Sequence, residues 1–420
     1  MGKSYEMLDY LSNKIGGRVT GSSQAAQAVD WTAKTMKEYD FDTVYLQQVK
    51  VPHWVRGEKE TAEILFSKGQ KQQVSICALG GSVATDSKGI TANVIEVKSL
   101  EELQKIGKEN IQGKIVFFNR PMDPTNIYTG KAYGNAVNQR SLGAIEAAKY
   151  GAIGVVVRSM TLKKDNFPHT GAMNYNDSIK KIPAIAISTE GADCLSHALE
   201  NDPRVTFYLK TNCRILPDTI SYNVIGEIKG SQHPEEVVLV GGHLDSWDTG
   251  KGANDDGTGC VQSIEVLRLF KSLGIKPKRT IRAVMFMNEE NGLRGGIKYG
   301  ELAETNKENH IAAIESDAGG FSPKGFSIDA DTKTIQTIQK WQYLFLPYDI
   351  LKFYKGSGGA DVSQINYKNT AKMELETDSQ RYFDYHHAAS DTFDKVNKRE
   401  LELGAATMAA LVYLISEYGL

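Results

Sequence analysis

Gly241 to Gly259 reads GGHLDSWDTGKGANDDGTG. Histidine and carboxylate side chains bind divalent metals and move protons. This stretch holds His243, Asp245, Asp248, Asp255 and Asp256, set among glycines. It follows Val237-Val238-Leu239-Val240, an apolar run that predicts a buried strand. That strand delivers His243 and Asp245 to its C-terminal edge. A glycine-rich loop then brings Asp255 and Asp256 to the start of a helix. So dense a set is hard to account for by packing, and it reads as the first half of a metal site.

Further candidates recur at the same kind of position. Ala283-Val284-Met285-Phe286-Met287 predicts a second buried strand and runs into Asn288-Glu289-Glu290-Asn291-Gly292. Adjacent carboxylates repel each other, so the pair belongs either to a solvated loop or beside a cation. A strand over 311–316 leads into Ser316-Asp317-Ala318-Gly319-Gly320, and Tyr385-His386-His387-Ala388 places two histidines in a loop before the last helix. Donors confined to histidine and carboxylate suit a hard-to-borderline divalent metal. Two histidines with several carboxylates suit two zinc ions better than one, because a single catalytic zinc usually takes three protein ligands and a water.

The positioning elements follow from pattern. Residues 4–15 predict a helix ended by Gly16-Gly17. Ser22 or Ser23 caps a second helix to about Tyr39, with Val29, Thr32, Ala33 and Met36 inward. Strands are expected at 43–51 and 61–66, with an apolar stretch near 74–79. From about Gly89 to Pro217, short β-rich runs with helices over 139–149 and 190–200 predict a self-contained α+β unit. Its histidines, His169 and His197, lack a carboxylate cluster and read as surface or capping residues. After Pro217, strands alternate with helices over 256–273, 294–304, 332–345 and 398–418. The class is α/β: a mostly parallel mixed sheet sandwiched by helices, with ligands beyond the C-terminal strand edges.

Bulk properties narrow the field. A chain of 420 residues exceeds one compact core, so two domains are expected. A net charge of -2, with both signs interspersed, carries no nucleic-acid footprint. No apolar run is long enough to span a membrane. Cys77, Cys194, Cys213 and Cys260 form no CxxC pair, which argues against a thiolate zinc site. Cys194 and Cys213 form a disulfide, or all four are free thiols. The start, MGKSYEML, has no apolar signal core; the protein is cytosolic, or a leader has been removed.

The ordered set HLDSWD, GANDDGTG, MNEENG, SDAGG and HHAASDTF resembles the co-catalytic two-zinc exopeptidases. These include bacterial aminopeptidases and the plasma glutamate carboxypeptidase group. The Trp-Asp after HLDS, the paired histidines and Trp54-Val55-Arg56-Gly57 look closest to the latter group, whose members act on dipeptides. The resemblance implies a zinc-exopeptidase fold over 1–88 and 218–420, with 89–217 an inserted protease-associated domain. It implies that His243 and Asp317 hold one zinc, Glu290 and His387 the other, and that Asp255 bridges both. It makes Glu289 the general base, with Asp245 accepting from the spare ring nitrogen of His243. It also implies a cis peptide between Asp255 and Asp256. His386 stands where simple aminopeptidases carry a tyrosine, and is expected to donate to the oxyanion. A homodimer and a secreted or periplasmic location are further implications.

Substrate contacts fall to Asp248, Lys251 and Asp361. Lys251 meets a C-terminal carboxylate or is simply exposed. The Gly356–Asp361 segment lines the pocket or is a flexible turn, and Trp54 and Trp247 are cleft walls or core. The activity expected is hydrolysis of small peptides, above all dipeptides. Aminopeptidase action on longer peptides is the alternative. A non-catalytic receptor of the same fold would have lost metal ligands, whereas His243, Asp255, Glu289, Glu290, Asp317 and His387 are all present. A single-zinc acyl-transfer scaffold of the glutaminyl cyclase kind would take one metal.

Overall fold

The computed structural model describes residues 2–366 and 368–420. The chain forms two compact units. The first comprises Met1–Pro52, Asp218–Tyr382 and Asp391–Leu420. Its eight-stranded sheet runs in the order Thr43–Val55, Arg214–Ile228, Arg279–Phe286, His233–His243, Asn309–Glu315, Ala371–Thr377, Pro323–Asp329 and Lys352–Lys355. His233–His243 is parallel to both of its neighbours, and Asn309–Glu315 is parallel to Ala371–Thr377. Arg214–Ile228 and Pro323–Asp329 run antiparallel to their inner neighbours, so the sheet is mixed. Parallel neighbours end on the same edge. His243 therefore pairs with Phe286, and Gly241 with Glu315, which sets three candidate loops side by side.

Helices cover the sheet. Helix Ser23–Glu38 starts as expected, with the Ser22 hydroxyl accepting from Ala25 N–H. Helix Lys398–Tyr418 buries Leu401, Ala405, Met408, Val412 and Ile415. Each large aliphatic side chain there stabilises by roughly 1.5–3 kcal/mol. Residues 332–345 form two helices, Thr332–Gln339 and Gln342–Phe345, rather than one. The apolar face continues across the break, so periodicity does not register it.

A buried polar network lies on this unit away from the candidate loops. Arg282 Nη1 donates to Tyr299 Oη at 2.6 Å, and Tyr299 Oη lies 2.7 Å from His310 Nε2. Arginine has no acceptor and already donates to the phenol, so the phenol donates to a neutral imidazole. Burial, then the Arg282 charge, holds the His310 pKa down at about 3. An unfolded histidine titrates near 6.5, so between those values the unfolded state binds the extra proton. The contribution is complete above pH ~6.5 and is lost as pH falls toward ~3, with a slope of up to ~1.4 kcal/mol per pH unit. Urea unfolding of His310→Gln between pH 7 and 5 should show a shallower loss of stability than the parent; equal slopes would remove His310 as the group responsible.

The second unit comprises His53–Pro217 and Phe383–Ser390. Its sheet runs Lys71–Gln73, Thr61–Leu65, Thr206–Lys210, Ile90–Val97, Ile115–Phe118, Gly154–Arg158, Ala184–Ile187 and Ile76–Ala78. Thr61–Leu65 pairs antiparallel with Thr206–Lys210, and Ile76–Ala78 with Ala184–Ile187. These pairings draw residues 53–88 into this unit, whereas the sequence division groups them with the catalytic segments. Partners so far apart in the chain leave no local signal. Helix Leu100–Ile106 was not anticipated, although Ser99-Leu100-Glu101-Glu102 matches a capping box and Ser99 Oγ accepts from Glu102 N–H. His169 is not a surface residue. It is buried, and burial pushes its pKa down to about 4. His197 is exposed, and no disulfide joins Cys77, Cys194, Cys213 and Cys260.

Candidate metal centre

The strand His233–His243 ends with its last side chain inside the first unit, 1% exposed. His243 Nδ1 lies 3.0 Å from the backbone carbonyl of Asp245. A carbonyl only accepts, so Nδ1 carries the proton and Nε2 is left as the donor atom. Nε2 stands 3.2 Å from Asp255 Oδ1, 3.4 Å from Asp317 Oδ1 and 4.0 Å from Glu289 Oε2. Ligand atoms of His243, Asp255 and Asp317 all lie within 4.8 Å of one another.

The Asp245 carboxylate does not take the His243 ring proton, contrary to the role expected for it. It is fully buried and accepts from Asn288 N–H at 2.6 Å and Glu289 N–H at 3.1 Å. It therefore pins the Glu289-Glu290 turn, while its own backbone carbonyl fixes the imidazole. One residue so sets both halves of the site.

Asp255 and Asp256 precede helix Thr258–Ser272, where the helix dipole favours negative charge. The peptide between them is cis. Asp256 Oδ2 accepts from His243 N–H at 3.0 Å and its Oδ1 from Gly259 N–H at 2.9 Å. A Cβ on Gly242 would come within 2.4 Å of Asp256 Oδ2, and one on Gly259 within 1.8 Å of Ser316 O, so both glycines are needed for this closeness. Asp391 holds the same loop, accepting from Asn254 N–H at 2.8 Å and Asp255 N–H at 3.1 Å. Neither Asp256 nor Asp391 was assigned these roles from sequence.

Glu290 is buried and accepts from Trp247 N–H at 3.2 Å, whereas Glu289 is half-buried. Burial pushes the Glu289 pKa up to about 8; Asp317, Asp245 and Asp255 add to the rise and His243 opposes it. Burial, then Asp255, raises Glu290 well above the usual range. Burial opposes protonation of His243, but Asp317, Asp255 and Glu289 outweigh it. So many acids crowded around one imidazole call for cations, and the donor set fits the zinc ions expected from sequence. Tyr382 is also buried; burial raises its pKa first, and Asp255, Asp317, Asp256 and Glu290 raise it further.

The histidine pair lies on Phe383–Ser390 in the second unit. His387 has φ +62 and stacks on His386 at 3.5 Å. Thr170 N–H donates to His387 O at 3.0 Å, and His387 Nδ1 lies 3.3 Å from Thr170 O. Nδ1 thus faces the backbone side of its own unit. Arg140 Nη1, which donates to the same carbonyl, lies 3.4 Å from Nδ1. Asp361 is fully buried, and neither carboxylate oxygen accepts a hydrogen bond. Trp54 and Trp247 are buried, Asp248 is half-buried and Lys251 is exposed.

A mixed α/β sheet whose parallel strand ends gather a histidine and several carboxylates is the framework of a metal-dependent hydrolase. The chain belongs to peptidase family M28, whose model matches residues 223–412. It is 37% identical to carboxypeptidase Q of Bos taurus over 99% of this chain and 85% of that protein. Among solved structures, a peptidase M28 precursor from Shewanella amazonensis SB2B is 35% identical, with a TM-score of 0.94 over 98% of this chain and 92% of that one. A zinc aminopeptidase from Bacillus subtilis shares the fold at 20% identity, with a TM-score of 0.70 over 98% and 94%.

Proposed function

We propose that this peptidase is a two-zinc exopeptidase acting on small peptides, chiefly dipeptides. The observation that carries the reading is the approach of Asp255, Asp317 and Glu289 to one nitrogen, His243 Nε2. His243, Asp255, Glu290, Asp317 and His387 would hold the two ions, with Asp255 serving both. Two bound zinc ions would supply Lewis acidity to the scissile carbonyl and would lower the pKa of a bound water. Glu289 takes a proton from the attacking water and passes it to the departing amine nitrogen. His386 donates to the oxyanion, and Asp248 and Lys251 contact the substrate. The likeness to carboxypeptidase Q supports the exopeptidase reading; the choice of dipeptides rests on the motif resemblance, the paired histidines included. A secreted or periplasmic homodimer, with the second unit a protease-associated domain, is what the motif resemblance to the plasma glutamate carboxypeptidase group implies. No helix among the described residues is long and apolar enough to cross a membrane.

A matched panel tests the substrate class: free dipeptides, N-blocked dipeptides and longer peptides, each with zinc and with a chelator. Cleavage is expected only for dipeptides with both termini free and only with metal. Turnover of longer peptides at similar kcat/KM would replace the dipeptidase reading with that of a broad aminopeptidase.

A further inference from the structure

The N-terminal segment sends one side chain to the metal loop, and the mechanism has no use for it. Arg18 is 0% exposed. Nε donates to Leu244 O at 2.7 Å, Nη1 to Gly16 O at 3.2 Å and Lys251 O at 3.0 Å, and Nη2 to Gly252 O at 3.1 Å. Its backbone N–H also donates to Ser246 Oγ at 3.1 Å. All four side-chain bonds end on backbone carbonyls. The nearby carboxylates of Asp391, Asp245 and Asp256 balance the charge without bonding to it.

The acceptors are telling. Leu244 directly follows His243, and Gly252 lies three residues before Asp255. One guanidinium thus closes the loop at both ends, joining the carbonyl beside one ligand to the carbonyl leading into another. The loop also contains Trp247, whose N–H holds Glu290. Gly252 permits the approach: it has φ +55, and a Cβ there would lie 2.4 Å from Ser246 Oγ and 2.9 Å from Arg18 Nη1. A planar fork of five donors can span carbonyls in three directions. An ammonium presents its donors from a single point and cannot.

We propose that Arg18 is a positioning residue for the metal centre, clamping Leu244–Gly252 so that His243 and Asp255 stand in place before metal arrives. This rests on the two-zinc reading above. Preorganisation of this kind acts on metal affinity, because ordering the loop is then no part of binding.

The test measures zinc dissociation constants by competition with a chromophoric chelator, for the parent, Arg18→Lys and Arg282→Lys. Arg282 is also a buried arginine, but its partners are the side chains of Glu227 and Tyr299 rather than the loop carbonyls. Arg18→Lys should weaken at least one zinc site by about 10–100-fold, as loss of outer partners typically does. Arg282→Lys should keep both constants within about twofold of the parent while lowering Tm. Parent-like zinc binding by Arg18→Lys overturns the proposal, and so does equal weakening in both variants. A second measurement needs no variant. Hydrogen exchange of the metal-stripped parent should show peptides over 244–254 still protected; full exposure there overturns the clamp even if Arg18→Lys fails to fold. A parent that takes up no zinc would instead sink the two-zinc reading itself, so the two failures are distinguishable.

Discussion

Glu289→Gln should leave both zinc sites filled and lower turnover by about 10³-fold or more. Glu289 Oε2 stands 4.0 Å from His243 Nε2, whereas the Asp255 and Asp317 oxygens stand at 3.2 and 3.4 Å. It is set back from the imidazole and, like Asp317, only half-buried, whereas Asp255 and Glu290 are packed in. Its backbone N–H is tied to Asp245, as are those of Asn288 and Glu290, so its position does not depend on its own charge. Glutamine keeps shape and packing while removing the proton acceptor. Metal content and kcat are the two readouts. Near-normal kcat would exclude Glu289 as the base; loss of metal would make it a ligand instead.

Asp255→Ala should empty both sites rather than one. Its carboxylate is buried beside His243, and its backbone is held by Asp391. Removing a shared ligand weakens both ions at once, by more than the ~100-fold that an outer partner can cost. Zinc per chain should drop from about two to less than one after dialysis. The melting temperature should match that of the metal-stripped parent, which separates metal loss from misfolding. Two fully bound zincs in this variant would refute the bridging assignment.

The candidate site was legible in sequence because buried parallel strands are apolar along their whole length, so charged residues stand out where the strands end. His243, Glu289-Glu290 and Asp317 each follow such a run, and the structure brings them to one edge. Roles that depend on partners were not legible. Asp245 was rightly singled out, yet it is its backbone carbonyl that meets His243, while its carboxylate holds the next loop.

Local pattern by itself determined the α/β class, most strand and helix positions, and the chemistry of the donor set, since side-chain periodicity and ligand type are properties of short stretches. Only the tertiary structure decided the rest. Residues 53–88 joined the second sheet through strands paired across long sequence separations. Asp391 came to hold the Asp255 loop, and Arg18 reached carbonyls more than 220 residues away. A hydrogen-bond partner is chosen by burial and geometry, and a buried donor takes whichever acceptor the fold presents.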